Sequence, residues 1–315
     1  MSYMKIYFML IVLTFVWGLN VSLVKILVEH IQPVTITSIR IFTAALTVFL
    51  VLSLSRHIRL PYKKEWIYII GGSLTAVIFH HYFLSVGLSR TSATNAGLIL
   101  GMGPLLTVIL SMFFFKKKPT MITGLGFILG GIGVSITVLF GSGQLQGIHL
   151  GDFEIFLAIL SQAFSFILIN KASKTMNPVL LTGYMLFIGS LVLFVMGLMI
   201  EPSGLASLTN TTPYIWVIFL FSAIFATGLG HMVYNYAISQ IGAAEASIFL
   251  NLNTLFSIVG AALLLGEIVK PAHYLGFILI VSGVILGSGT LEAMILQRKN
   301  RKIALHPPTG TDANH

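Results

Sequence analysis

Ten apolar stretches, each close to the roughly 20 residues a helix needs to cross a bilayer, constrain this chain more than any other feature. They fall near residues 6–28, 33–54, 66–87, 91–115, 120–140, 152–172, 178–200, 213–237, 243–265 and 272–291. Pro33, Pro61, Pro119, Pro178, Pro202, Pro213 and Pro271 stand at or beside their borders, where the amide proton that proline lacks would be unpaired anyway. Charged residues make up only 9% of the chain and hydrophobic ones 56%, whereas a soluble domain carries about 25% charged residues. The expected class is therefore an all-α integral membrane protein of ten transmembrane helices, with no sizeable soluble domain.

The stretches are related to one another. Residues 66–139 recur without a gap 150 places on, pairing Trp66 with Trp216, His81 with His231, Ser89 with Ser239, Gly126 with Gly276 and Gly133 with Gly283. Upstream the offset is 145, and Phe8, Pro33, Thr37 and Phe49 fall on Phe153, Pro178, Thr182 and Phe194. Leu and Ile matches would arise by composition alone, but Trp, His, Ser and Gly in one register indicate duplication. The expected organisation is a first five-helix repeat over 1–140, a second over 152–291, and a basic cytoplasmic tail over 292–315 with no apolar face to bury. Five spans per copy is odd, so the second copy enters the membrane from the opposite side, which makes an inverted repeat of two five-helix halves.

With the N-terminus inside, fourteen of the eighteen Lys and Arg lie on the cytoplasmic side; the others are Lys25, Arg40, Arg90 and Lys270. That bias predicts a multi-pass protein of the cytoplasmic membrane with both termini cytoplasmic. It also accounts for the net charge of +9, which in a soluble chain would suggest nucleic acid; no nucleic-acid partner is expected here. The first apolar run exceeds a signal-peptide core and has no small-residue cleavage site, so it reads as a span. No cysteine is present, which excludes disulfides and thiolate metal sites, and no cofactor is expected.

Trp17-Gly18 in the first span, Pro33 with Arg40 in the second, Gly103-Pro104 in the fourth, and Leu263-Leu264-Leu265-Gly266-Glu267 closing the ninth carry a resemblance. In this order and spacing, over about residues 6–291, the chain resembles the EamA-like family of the drug/metabolite transporter superfamily. The chain departs from the family pattern at Lys116-Lys117, where Gly-Glu is common, and at Asn253-Thr254, where Glu-Pro is common. The resemblance implies a ten-helix bundle with a central cavity, a bilayer setting, and a small-molecule solute, an amino acid or related metabolite, as the exported partner. Oligomeric state is not legible.

Ionisable groups within spans cost roughly 2.5–3.5 kcal/mol each on insertion scales and therefore face a cavity or a partner. Arg40 either satisfies its donors on backbone or interface groups or meets a substrate carboxylate. His80 and His81 diverge by about 100° on a helix, and the repeat selects His81, with His231, as the pair that faces the cavity. Trp17, Asn20, Gln162, Ser165, Tyr234, Asn235 and Asn253 either bond between helices or line that cavity. Glycines at 124, 126, 130, 131 and 133 read as close-packing surfaces.

The duplicated register suggests two coupling or gating pairs, His81 with Asn95 and His231 with Glu245, of which only the second could exchange a proton. The leading expectation is a secondary transporter, not an enzyme, exporting small organic solutes by alternating access, with proton coupling as one candidate. A passive facilitator or channel is the alternative. A membrane metalloenzyme built on the histidines is a remote one, since no two histidines stand at i and i+4 with a nearby acid.

Overall fold

A bilayer offers the backbone no hydrogen-bonding partner, so each buried amide and carbonyl must be satisfied within the chain, and helices do this locally. The structure, a computed structural model, describes residues 3–115, 120–140, 149–209 and 211–287, and all regular structure among them is helical. Lys116 to Lys118 and the expected tail at 292–315 lie outside the described residues.

The helices follow the apolar stretches: α1 Tyr3–His30, α2 Pro33–Leu54, α3 Trp66–Arg90, α5 Met121–Phe140, α6 Leu150–Ala172, α7 Pro178–Ile200, α8 Pro213–Ile241 and α10 Pro271–Gly287. Two are interrupted, α4 into Ala93–Leu100 and Gly103–Phe115, and α9 into Ala243–Ile248 and Leu250–Leu265. Eight of the ten are long and apolar enough to cross a membrane; the apolar stretches of α5 and α10, Gly124–Thr137 and Pro271–Leu286, are shorter. Two spans change geometry midway. Ser73–Phe79 of α3 and Ser222–Leu229 of α8 are π-helical.

The helices pack in pairs: α1 against α9, α3 against α6, α2 against α7 and α5 against α10. Small residues set two of these distances. A Cβ at Gly18 would stand 2.4 Å from the Cβ of Phe256, and one at Gly283 would stand 2.7 Å from the carbonyl oxygen of Gly126. Of the glycines expected to pack, those at 124 and 131 instead face open space.

One end of the bundle is tied by carboxylates. Glu201, just past α7, accepts from the backbone amides of Val34 and Thr35 and from the Thr35 hydroxyl, at 2.9, 2.7 and 2.7 Å. Glu267, just past α9, does the same for Ala93, Thr94 and the Thr94 hydroxyl, with amide distances of 2.8 and 2.9 Å. Each carboxylate thus satisfies amides that the first turn of α2 or α4 leaves free, and sits where the helix dipole favours negative charge. At the same end Thr91 donates to Asp152 at 2.6 Å and Arg90 pairs with Glu154.

The other end is tied differently. Arg59 clasps Glu65 through two hydrogen bonds and holds its carboxyl below the usual carboxylate range. The Tyr184 hydroxyl fastens that loop to α7 by donating to the Arg59 carbonyl at 2.9 Å.

Glu267→Ala leaves two amides of α4 and a threonine hydroxyl without their acceptor. Hydrogen bonds to a charged group contribute about 1.5–3 kcal/mol each, though an end near headgroups recovers part of this from water. The expected result is a thermal midpoint several degrees lower in detergent, with Glu267→Gln, which keeps one acceptor oxygen, falling between the variant and the parent. Equal midpoints for all three would refute the cap.

Candidate functional site

The π-helical stretches sit at mid-height in α3 and α8, and a π insertion takes carbonyls out of the regular ladder. In α8 the freed acceptor is the Ala226 carbonyl, to which Trp17 Nε1 of α1 donates at 2.7 Å. In α3 the Thr75 carbonyl, within the π-helical stretch, accepts from the Ser161 hydroxyl of α6 at 2.8 Å. Gly230 makes the first contact sterically possible, because a Cβ there would stand 2.6 Å from Trp17 Nε1.

Around this level α1, α2, α3, α6, α8 and α9 enclose a cavity, with Leu100 of α4 also on its wall. Its volume is about 90 Å³. That is room for roughly three waters, or one small solute. Apolar walls come from Val21, Val24, Leu84 and Phe166, and polar groups converge between them.

Of the residues picked out from sequence, Trp17, Asn20, His81, Gln162, His231 and Asn253 line this cavity. The imidazole of His81 is 3% exposed and neither ring nitrogen has a hydrogen-bond partner. The carbonyl oxygens of the Asn20, Gln162 and Asn253 side chains are likewise buried and unpartnered. His231 is fixed from both sides: its ring centroid lies 5.2 Å from that of Trp17 and 5.4 Å from that of His81, while Nδ1 meets the Thr227 carbonyl at 3.0 Å. A carbonyl can only accept, so Nδ1 carries the hydrogen and Nε2 is the free ring nitrogen.

Three others stand behind the wall. Tyr234 packs between the rings of Trp17 and Phe166 at 5.1 and 4.9 Å, Asn235 donates to the Thr182 hydroxyl at 2.9 Å, and Ser165 donates to the Gln162 backbone carbonyl at 2.7 Å. Their polarity is spent on, or enclosed in, helix packing. The two expected gating pairs are not brought together either. Glu245 accepts from the Tyr7 hydroxyl, and Asn95 is held by the cap of its own helix, where its amide donates to the Ser92 hydroxyl at 3.0 Å. The reason is depth: His231 precedes the end of α8 at Ile241 by nearly three turns, about 15 Å of rise, whereas Glu245 is in the first turn of α9.

Two further residues line it: His80, which the repeat had set aside, and Arg40, for which a substrate contact was one of two readings. His80 shares the wall with His81, its Nδ1 donating to the Ala158 carbonyl at 3.0 Å, because a concave wall spans more than the 100° between neighbours. Arg40 does not reach outward to the interface. It is 2% exposed, and its Nη1 donates to the hydroxyls of Thr227 at 2.6 Å and Ser222 at 3.4 Å, both in the π-helical stretch of α8. A charge inside an apolar span was the available signal. Among the described residues, no three of His, Asp and Glu are grouped to share a metal ion.

The EamA-like transporter family profile matches this chain twice, over residues 4–139 and 149–289. The chain belongs to the EamA-like transporter family. The Bacillus subtilis uncharacterized transporter YyaM is similar, 30% identical over 93% of this chain and 96% of its own length. An uncharacterized transporter of Archaeoglobus fulgidus is 28% identical over 87% of this chain and 82% of its own. A chloroplastic WAT1-related protein of Arabidopsis thaliana is 24% identical over 83% of this chain and 64% of its own. One crystal structure shares the fold, with a TM-score of 0.62 over 94% of this chain and 97% of that one at 16% identity. This EamA-like chain is thus a multi-pass membrane transporter that acts on a small-molecule solute, in a family of transporters and not of enzymes.

Trp17→Phe keeps an aromatic ring against His231 and Tyr234 but removes the donor to Ala226. Leaving that carbonyl unpaired costs about 1–3 kcal/mol. The expected result is a thermal midpoint lower by several degrees, and an unchanged midpoint would mean that another donor replaces the indole.

Proposed function

We propose that this protein is a secondary transporter that exports small organic solutes, amino acids or related metabolites, across the cytoplasmic membrane by alternating access. Both termini are cytoplasmic in this reading, and the solute binds in the cavity lined by Trp17, Asn20, His81, Gln162, His231 and Asn253. The observation that carries it is the set of buried, unpartnered polar groups on residues that line one mid-height cavity; buried polar atoms ordinarily have partners, and a solute can supply them. The solute class and the outward direction rest on the family resemblance.

Alternating access is supported by the relation between the halves, over 1–140 and 152–291. The family profile matches each half separately. The π-helical stretches fall at corresponding places in α3 and α8, and the helix pairings exchange under the same correspondence: α3 packs on α6 as α8 packs on α1. An inverted repeat allows two related openings, one to each side. The carboxylate ties of Glu201 and Glu267 then hold one opening shut and break when it opens.

Proton coupling runs, in this reading, through the imidazoles of the cavity. Glu245, bound to Tyr7, is a tie at the opposite end.

The test is uptake of a labelled metabolite panel into proteoliposomes under an imposed pH gradient. Concentrative flux abolished by a protonophore is expected, with at least tenfold loss in Gln162→Leu and Asn253→Leu at normal yield. Flux that only equalises concentrations supports the passive facilitator, and undiminished flux in both variants refutes the cavity as the solute site.

A further inference from the structure

Arg40 stands out among the buried groups because it carries a charge with no acid to balance it. A guanidinium remains protonated at physiological pH. Yet among the described residues the hydrogen-bond partners of Arg40 are the two neutral hydroxyls of Ser222 and Thr227, both at Nη1, and none of the ion pairs includes it. No Asp or Glu occurs among the described residues of the cavity wall, which Arg40 itself helps to form. Both bonds use one nitrogen of the guanidinium, and the side chain forms part of the cavity wall. The site therefore presents one fixed positive charge and, among the described residues of its wall, no fixed negative one.

The opposite need lies on the same wall. Asn20, Gln162 and Asn253 line it too, each with a buried side-chain carbonyl oxygen that has no partner, and such an oxygen requires an O–H or N–H. Chloride has no hydrogen to offer. Inorganic phosphate, as a dianion, would call for a second cation, and the wall has a single Arg and no Lys. A small organic acid with a donor on its carbon skeleton meets both needs.

We infer that Arg40 is the carboxylate-binding residue of the cavity, so that the transported solute is a small organic acid whose carboxylate is held by the guanidinium while a hydroxyl or amino group reaches the three amides. This rests on the cavity being the solute site. The Thr227 and Ser222 hydroxyls keep the guanidinium oriented, and its planar fork matches a carboxylate in a way that an ammonium does not.

The test is calorimetric titration of the purified full-length protein in detergent with lactate and alanine, each against its own primary amide, and with chloride and inorganic phosphate as competitors. Saturable binding of at least one acid is expected, with its amide at least tenfold weaker and with neither inorganic anion displacing it at equal concentration. Arg40→Lys, which keeps the charge and loses the fork, should weaken the acid at least fivefold and leave the amide unchanged. Gln162→Leu and Asn253→Leu should weaken acid and amide together.

Equal affinity for acid and amide, no saturable binding of either acid, displacement by phosphate or chloride, or an unaltered acid affinity in Arg40→Lys would each overturn the assignment. The acid-to-amide ratio in the unaltered protein decides the matter if Arg40 variants do not fold. Loss of binding in the Gln162 and Asn253 variants with no effect of Arg40→Lys would leave the cavity as the solute site and remove only Arg40. Arg40-dependent binding without flux in proteoliposomes would do the reverse.

Discussion

In lipid an unpaired backbone carbonyl has no water to turn to, and this fold depends on how that demand is met where its helices stop being regular. Within the π-helical turns of α3 and α8 a carbonyl at mid-height accepts from a side chain of a neighbouring helix, Thr75 from Ser161 and Ala226 from Trp17. The same π-helical stretch of α8 supplies the hydroxyls of Ser222 and Thr227 that hold Arg40, and the Thr227 carbonyl that orients His231. One local departure from α-helical geometry thus fixes an indole, a guanidinium and an imidazole around a single cavity.

The helix ends obey the same demand, but unequally. At one end α2 and α4 are capped by carboxylates from elsewhere in the chain, Glu201 and Glu267, so their caps double as ties between helices. At the other end α7 is capped from within by Asn177, and α9 begins at Gly242, whose φ of +89° suits glycine, with no side-chain cap. By the duplicated register, Glu201 and Glu267 correspond to Arg56 and Lys117, so the repeat does not reproduce the acidic ties. Unequal ties on a duplicated frame leave one end of the bundle held more firmly than the other.

The helices were legible because a lipid-spanning segment must be apolar for about 20 residues and proline marks where it can begin, and the expected segments coincide with α1 to α10 within a few residues. The π-helical turns were not, since an inserted residue has no compositional mark. Without them the partners of Trp17 and Arg40 could not be foreseen. Polarity in mid-span located Asn20, Gln162 and Asn253 near the cavity, but it could not separate them from Asn235, whose amide is used on Thr182, or from Ser165 and Tyr234. Arithmetic on the repeat joined His231 with Glu245, although three helical turns of rise set them at different depths.

The central claim is that the buried amides and imidazoles at mid-height face a solute-accessible space and not a dry packing interface. The absence of any native cysteine gives that claim a clean measurement, because single cysteines can be introduced one at a time and probed with a small water-soluble thiol reagent. Cysteines at Asn20, Gln162 and Asn253 are predicted to react, and at Ser165 and Asn235, which stand behind the wall in helix contacts, to stay inert. Equal reactivity in the two groups, or reaction confined to the second, would contradict the account.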